Sequence, residues 1–116
     1  MFDRVLIPLS GNDVAPRFDL ATEVLVASFD GQGAGDQRTI VLASASADEL
    51  CRLVLAENVG TVVCGAIEEE YFQYLLWKKV RVFDWVIGPY ERALAGLRDD
   101  RLQAGDVLFG SADGKQ

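Results

Sequence analysis

The side chains best placed to do chemistry lie in a polar loop that follows the first apolar segment of the chain. This loop, residues 10–19, contains Ser10, Asn12 and Arg17. Loops anchored at the end of a central strand often carry the residues that bind a ligand. Arg17 stays protonated, so it offers hydrogen bonds to an anion and is not a metal ligand. It is equally compatible with an ion-paired or solvated loop residue, because Asp19 is close in sequence.

A second candidate segment, Cys64–Ile67, follows a later apolar run at residues 60–65. A cysteine at a strand end is either a small buried apolar residue or a thiol that ligates or reacts, and both interpretations stay open here. Gly65 allows another backbone to approach closely. The amide groups at the start of the next helix could bind an anion, although Glu68–Glu70 would offset that attraction.

A third segment, Trp85–Pro89, follows the last predicted strand. The carboxyl ends of parallel strands meet at one edge of a sheet, which is where ligands usually bind in open α/β folds. We therefore expect the loop at residues 10–19, the turn Cys64–Ile67 and this third segment to lie together. Trp85 is either a packing residue or part of a pocket or interface.

Composition excludes several classes of function. The 116 residues include eighteen acids and eleven bases, for a net charge of −7, which disfavours nucleic acid and anionic membrane surfaces as partners. No apolar run approaches the ~18 residues of a membrane span, and the N-terminus does not resemble a signal peptide. The chain has no histidine, which excludes a Ser-His-Asp triad and a histidine-containing zinc site. Two cysteines without a secretion signal predict reduced thiols and a cytoplasmic location.

The elements that would position these segments alternate in the order β-β-β-α-β-α-β-α. The predicted strands are residues 5–9, 23–29, 39–43, 60–65 and 80–83, and the predicted helices are residues 46–58, 68–79 and 90–97. Ser46 and Glu49 form a capping box, and Asn58 is a plausible left-handed stop. The stretch Gly31–Asp36 predicts a flexible turn. Three leading strands favour an antiparallel meander, and the later strands return through helices as parallel neighbours.

One α/β domain is predicted over residues 1–110, with a flexible tail at residues 111–116. Within that domain, four short segments resemble a known family when they are taken in order. They are Ile7-Pro8-Leu9, Val14-Ala15-Pro16-Arg17-Phe18-Asp19, Cys64-Gly65-Ala66-Ile67 and Val86-Ile87-Gly88-Pro89 followed by Ala93-Leu94. In this order they resemble the dinitrogenase iron–molybdenum cofactor biosynthesis proteins, of the NifX, NafY and NifB C-terminal domain type. The resemblance covers roughly residues 4–102.

The resemblance implies a ribonuclease-H-like fold, a mixed five-stranded sheet of order 3-2-1-4-5 with flanking helices. It also implies a small accessory protein that binds or carries a metal–sulfur cofactor of iron–molybdenum or iron–sulfur type and is not an enzyme. Its partners would be the proteins that donate or accept the cofactor. The implied cofactor contacts are Ser10, Asn12, Arg17, Phe18, Gly65, Ala66 and Ile67. Cys64 would be the metal ligand, since a thiolate suits iron–sulfur and molybdenum–sulfur centres.

This chain departs from the family pattern at the loop. The family's histidine is Arg17 here, the following glycine is Asp19, and the later turn has Ala66 and Glu68. An alternative function is therefore a divergent regulatory or protein-interaction module of the same fold that binds no metal, with a possible homodimer through an apolar patch at Trp85 and Val86. A ribonuclease-H-like hydrolase is disfavoured, because the central strands lack the clustered carboxylates that hold Mg²⁺.

Overall fold

The computed structural model describes residues 3–30 and 33–109, which form a six-stranded mixed sheet with three helices packed on it. The strands are β1 (Asp3–Ser10), β2 (Asp13–Val14), β3 (Glu23–Asp30), β4 (Gly33–Val41), β5 (Thr61–Val63) and β6 (Arg81–Phe83), and the helices are α1 (Ala47–Ala56), α2 (Glu69–Trp77) and α3 (Tyr90–Arg98). A single 3-10 turn, Phe18–Leu20, follows β2. The predicted tail at residues 111–116 lies outside the described residues.

The sheet runs in the order β4-β3-β1-β5-β6, with β2 paired beside the end of β1. β1 pairs antiparallel with β3, which pairs antiparallel with β4, as the predicted meander requires. β5 lies parallel to both β1 and β6, since α1 and α2 provide the crossovers. The predicted sheet has five strands and lacks β2, so the predicted strand count was wrong by one. The ribonuclease-H-like classification stays a prediction.

Alternate residues of the strands build a core on each face of the sheet. Leu6 of β1 faces the side covered by α1 and α2, where it joins Leu50 and Leu75. Val5 and Ile7 face the other side, where α3 contributes Ala93 and Leu94, which are also buried. Because successive side chains of β1 point to opposite faces of the sheet, the strand is buried between two apolar layers. This burial fixes the position at which its C-terminal loop begins.

The predicted capping box is confirmed in one half. The Ser46 hydroxyl accepts a hydrogen bond from the Glu49 N–H at 3.1 Å, which caps α1. The Glu49 carboxylate does not reach back and instead lies 3.3 Å from the Arg52 guanidinium. The predicted left-handed stop is also confirmed, because Asn58 has a φ of 60° just after the helix.

The predicted turn at Gly31–Asp36 was wrong over residues 33–36, which belong to β4. The pairing of β4 with β3 extends to Gly33, with a register shift between Ala27 and Phe29. Hairpin pairing thus overrides the weak strand propensity of the glycines. Gly31 and Gln32 lie outside the described residues. No helix in the described part of the chain is long and apolar enough to cross a membrane.

Candidate functional site

The loop after β1 opens as a tight hairpin. β2 folds back on β1 with Leu9 opposite Val14 and Ser10 opposite Asp13, so the turn consists of Gly11 and Asn12. Gly11 has a φ of 63°, a left-handed conformation that two-residue hairpin turns require and glycine adopts without strain. The side chains of Ser10 and Asn12 are both exposed at this turn. The sequence predicts an irregular loop over this whole stretch, so the hairpin was not foreseen.

The hairpin is bonded to the segment that precedes α3. The Val14 N–H donates to the Gly88 carbonyl at 2.8 Å. The Tyr90 N–H donates to the Asn12 carbonyl at 3.0 Å. Asn12 therefore serves through its backbone as an anchor for the first turn of α3, which ties the first candidate segment to the third.

The next part of the loop is bonded to the turn after β5. The Ala66 N–H donates to the Pro16 carbonyl at 2.7 Å, and the Phe18 N–H donates to the Ala66 carbonyl at 2.8 Å. These two bonds make a short parallel bridge between Arg17 and Ala66. Two regions nearly fifty residues apart in sequence are thus held side by side by backbone groups.

Gly65 lies where these backbones approach most closely. A Cβ at this position would come within 2.4 Å of the Pro16 carbonyl oxygen and 2.5 Å of the Ala15 carbonyl oxygen. The Gly65 carbonyl in turn accepts a hydrogen bond from the Trp85 N–H at 2.9 Å. The glycine allows the close approach that the sequence predicted, and no larger residue fits without a backbone shift.

We call the assembly of residues 11–18, 64–67 and 85–89 the junction. All three candidate segments meet in it, at the carboxyl ends of β1, β5 and β6, as expected for this kind of sheet. The backbone is therefore arranged as the sequence analysis predicted. The directions of the side chains differ from what was expected, and they decide what the junction can bind.

Two of the residues predicted to contact a cofactor or metal point into the core. Phe18 is only 1% exposed, and its ring lies 6.4 Å from that of Tyr71. Cys64 is fully buried in the same apolar cluster as Leu6. Phe18 thus packs the core and does not contact the surface of the junction. The Cys64 sulfur likewise has no solvent-facing side from which to bind a metal without an opening of the turn.

Burial also makes Cys64 a poor thiolate. Desolvation raises the pKa of the Cys64 thiol from 9.0 to about 12, and the nearby Asp84 adds to the shift. A metal ligand must be the thiolate, so both access and ionisation oppose ligation in this conformation. Within residues 3–30 and 33–109, no group of three or more cysteines and carboxylates is arranged to hold a metal ion.

Arg17 is a charged side chain that the junction presents to solvent. Its guanidinium makes a bidentate pair with Asp19, through Nε to Oδ1 at 3.1 Å and through Nη2 to Oδ2 at 2.8 Å. The Arg17 side chain remains about half exposed. The sequence left Arg17 either as an anion contact or as an ion-paired or solvated loop residue, and the structure shows it ion-paired. Asp19 was missed as a site residue, although its spacing of two from the arginine was a usable signal.

Arg17 separates two shallow hollows on this surface. One, of about 310 Å³, is lined by Arg17, Asp19, Ala66, Ile67 and Glu68. The other, of about 400 Å³, lies beside the hairpin, and its lining includes Ser10, Gly11, Arg17 and Leu20. Ser10, Arg17, Ala66 and Ile67 are therefore brought to one surface, whereas Asn12, Phe18 and Gly65 line neither hollow.

The chain matches no protein-family model, and no curated protein matches it in sequence. Several solved structures have the same fold. The protein PH0822 has a TM-score of 0.79 at 14% identity, over 87% of this chain and 93% of its own. A "putative dinitrogenase" from Methanocaldococcus jannaschii has a TM-score of 0.71 at 18% identity, over 89% of this chain and 94% of its own. A "putative NifB protein" from Thermotoga has a TM-score of 0.68 at 17% identity, over 95% of this chain and 99% of its own.

An exposed apolar surface adjoins the junction. Trp85, Ile87, Val107 and Phe109 are each about half exposed or more. Ile87 and Val107 are bridge partners on neighbouring strand-like segments. The predicted patch at Trp85 and Val86 was half right, because Val86 is buried and every second residue faces out. Trp85 also has a φ of 59°, which is uncommon for a bulky residue and often marks a functional site.

Proposed function

We propose that this chain is a nitrogenase-related accessory protein that binds an anionic metal–sulfur cofactor as cargo at the junction. The proposal is supported by the fold shared with proteins named as a dinitrogenase and a NifB protein, at identities of 17–18%. It is supported by the presence, at the predicted edge of the sheet, of a hollow with an arginine on its wall. Arg17 is the observation on which the proposal mainly rests.

The chemistry of the residues favours recognition of the cargo over ligation of its metals. Arg17 can donate charge-assisted hydrogen bonds to sulfide or oxygen atoms of an anionic cluster. Ala66 and Ile67 supply an apolar wall beside it. Direct ligation would need Cys64 to become exposed and ionised, so the proposed binding is weak or requires an added thiol. The cargo would come from, and pass to, other proteins.

The proposed role is carriage without catalysis. β5 and β6 consist of Thr61-Val62-Val63 and Arg81-Val82-Phe83, so neither offers a carboxylate for a catalytic Mg²⁺. Glu68 lies on the rim of the hollow, and Asp19 already occupies the guanidinium of Arg17. Both carboxylates lower the affinity for an anion, which suits a protein that must also release its cargo.

The test is anaerobic binding of tetrathiomolybdate, followed by its absorbance and by the molybdenum content of the protein after gel filtration. Arg17→Ala should weaken retention about tenfold, the effect expected for loss of a hydrogen bond to a charged group. Asp19→Asn should strengthen retention, because it removes the carboxylate that competes for the guanidinium. Cys64→Ala should leave retention unchanged.

The matched control is Arg52→Ala, because Arg52 is an exposed arginine that is ion-paired to Glu49 on α1, outside the junction. It removes the same charge and should not alter retention. The proposal fails if the wild-type protein takes up no molybdenum at stoichiometric concentration. It also fails if Arg17→Ala and Arg52→Ala have the same effect. If Cys64→Ala is the only variant that loses retention, the cargo is bound through ligation of its metal by Cys64 and not through hydrogen bonds from Arg17.

A second candidate function is a protein-interaction module that binds no metal. It is favoured by the exposed apolar surface of Trp85, Ile87, Val107 and Phe109. Apolar patches of this kind on small domains commonly mark contact surfaces. Light scattering of the wild-type protein and of Trp85→Ser would test the homodimeric form, which requires self-association that this substitution removes.

A further inference from the structure

β4 lies at one end of the sheet, and β3 is its only strand partner among the described residues. The direction of its free backbone groups follows from one hydrogen bond, since the Leu42 N–H donates to the Thr22 carbonyl at 2.8 Å. Alternation along an antiparallel strand then turns the N–H and C=O groups of Val41, Thr39 and Gln37 away from β3. In residues 3–30 and 33–109, no backbone hydrogen bond to these groups comes from elsewhere.

This edge has little of the protection that sheet edges usually carry. Residues 37–41 contain no proline and no lysine. Their one charged residue, Arg38, is ion-paired with Glu57 of its own chain. Val41 is 71% exposed. Charged side chains, prolines and bulges normally prevent edge-to-edge pairing, and here a register shift against β3 affects only the part of β4 that precedes Gln37.

We propose that a second copy of this chain pairs with this edge, β4 against β4, in an antiparallel two-fold arrangement centred on Thr39. This register places Thr39 opposite Thr39 of the second copy and Gln37 opposite Val41 of the second copy. All three outward-facing residues then meet an outward-facing residue, and each such pair exchanges both of its N–H···O=C bonds. The outcome is one continuous sheet across two copies, with the exposed Val41 side chains covered.

Two of the alternative registers are worse for identifiable reasons. Centring on Arg38 places two guanidinium groups directly opposite each other, which is destabilising across strands. Centring on Gln37 brings Gly35 opposite Thr39, at the irregular part of the strand where pairing with β3 shifts. Self-pairing at Thr39 uses only the regular run from Gln37 to Val41.

The dimer should be weak and should respond to salt. A five-residue strand pair buries far less surface than the roughly 800 Å² per partner of a standard interface. Each copy also carries a net charge of −7, so the copies repel at low ionic strength. We therefore expect association at high protein concentration that strengthens when salt is added, because the repulsion is screened.

The decisive experiment is disulfide trapping in the full chain with a mild oxidant. Thr39→Cys places two thiols directly opposite each other, with Cα atoms about 5.5 Å apart, a separation that disulfides commonly span, and should give a covalent dimer. Gln37→Cys is the matched control, because it is equally exposed and lies on the same face of β4. Its two thiols would be about 13 Å apart in this register and should not cross-link. The native Cys51 and Cys64 are buried, so the wild-type protein should give no dimer band.

Light scattering provides the reversible counterpart. Thr39→Lys puts like charges opposite each other at the two-fold axis and should give a monomer, whereas Gln73→Lys on α2 should not. The proposal is overturned if the wild-type protein stays monomeric at high concentration and high salt, or if Gln37→Cys cross-links as efficiently as Thr39→Cys. It is also overturned if Trp85→Ser abolishes the dimer while Thr39→Lys does not. None of these outcomes depends on whether the junction binds a metal–sulfur cargo.

Discussion

The junction and the β4 edge use their backbone groups in opposite ways. In the junction, three loops donate to and accept from one another, as in the bonds of Ala66 to Pro16, Trp85 to Gly65 and Val14 to Gly88. Along β4, the outward groups of residues 37, 39 and 41 have no such partner among the described residues. The junction therefore fixes the positions of a few side chains, whereas β4 keeps backbone hydrogen bonds available for another strand.

This difference indicates where the molecule can tolerate change. Backbone bonds between loops need close approach and burial, so the junction depends on residues of particular size, such as Gly65 and Phe18. The β4 edge needs only an extended backbone, so most of its side chains are free to vary. Substitutions in the junction should therefore destabilise the protein more than substitutions on the β4 edge.

Truncation of Phe18 should be the most damaging single change in the junction. Its ring is buried against Tyr71, so Phe18→Ala removes apolar contacts and leaves a cavity, at a cost of about 4 kcal/mol in the free energy of unfolding. Val41→Ala on the exposed β4 edge should change that free energy by less than about 0.5 kcal/mol. Urea unfolding of both variants measures the contrast. Equal losses would remove the distinction between the two regions.

Gly65→Ala should be the next largest effect. The added Cβ would lie 2.4 Å from a backbone oxygen that the hydrogen bonds of the junction hold in place, and we expect a loss of about 2–3 kcal/mol. The control is Gly11→Ala, where the new Cβ meets no atom within 4 Å but the φ of 63° is unfavourable, at a cost of about 1 kcal/mol. If Gly11→Ala proves the more destabilising of the two, the close approach at Gly65 is not what limits substitution.

The buried thiol of Cys64 predicts a moderate loss of stability at alkaline pH. Its pKa is raised from 9.0 to about 12, so between these values the folded state holds a proton that the unfolded state has released. Stability must therefore fall as the pH rises through this window. Cys51, with its pKa raised to about 11, contributes in the same direction.

Urea unfolding at pH 7 and at pH 10.5 measures this alkaline loss. Cys64→Ala should reduce the difference between the two pH values, although it lowers stability at both by opening a small cavity. Cys51→Ala is the matched control and should reduce the difference to a smaller extent. A wild-type stability that does not change over this pH range would show that Cys64 is accessible and ionises normally in the folded protein.

The smallest expected effect is that of the Arg17–Asp19 pair on stability. Both side chains are partly exposed, and exposed ion pairs contribute little because solvent screens them. Arg17→Ala and Asp19→Asn should each change the free energy of unfolding by no more than about 0.5 kcal/mol. Thermal unfolding of the two variants beside the wild type is sufficient to check this. A large loss in either would mean that the pair has a structural role instead of a binding one.

Much of the fold was predictable because local signals and global packing agree. Ser46 caps α1, and Asn58 ends it in the predicted left-handed conformation. The errors occur where tertiary pairing outweighs local preference. The hairpin at β2 was missed in a segment that contains Pro16, and Gly33–Asp36 was assigned to a turn although β3 recruits it into β4. Neither pairing leaves a periodic pattern in the sequence.

The candidate site was predictable in its segments but not in its side chains. The carboxyl ends of β1, β5 and β6 meet as the order of elements requires. The direction of a side chain in the first residues of a loop depends on where strand alternation stops, and the sequence does not mark that point. The side chains of Cys64 and Phe18 therefore lie in the core, and not at the surface where a cofactor could contact them. The pairing of Arg17 with Asp19 was one of two interpretations left open, because their close spacing allows an ion pair without requiring one.

The parallel bridge between Arg17 and Ala66 has a consequence for how this fold diversifies. Its hydrogen bonds run between the peptide groups of Pro16, Ala66 and Phe18, so they do not depend on which side chain residue 17 carries. The same scaffold can therefore accept an arginine, a histidine or a neutral residue at that position without a change of shape. Solved structures at 14–18% identity have the same fold as this chain, as expected if that fold depends little on individual surface side chains.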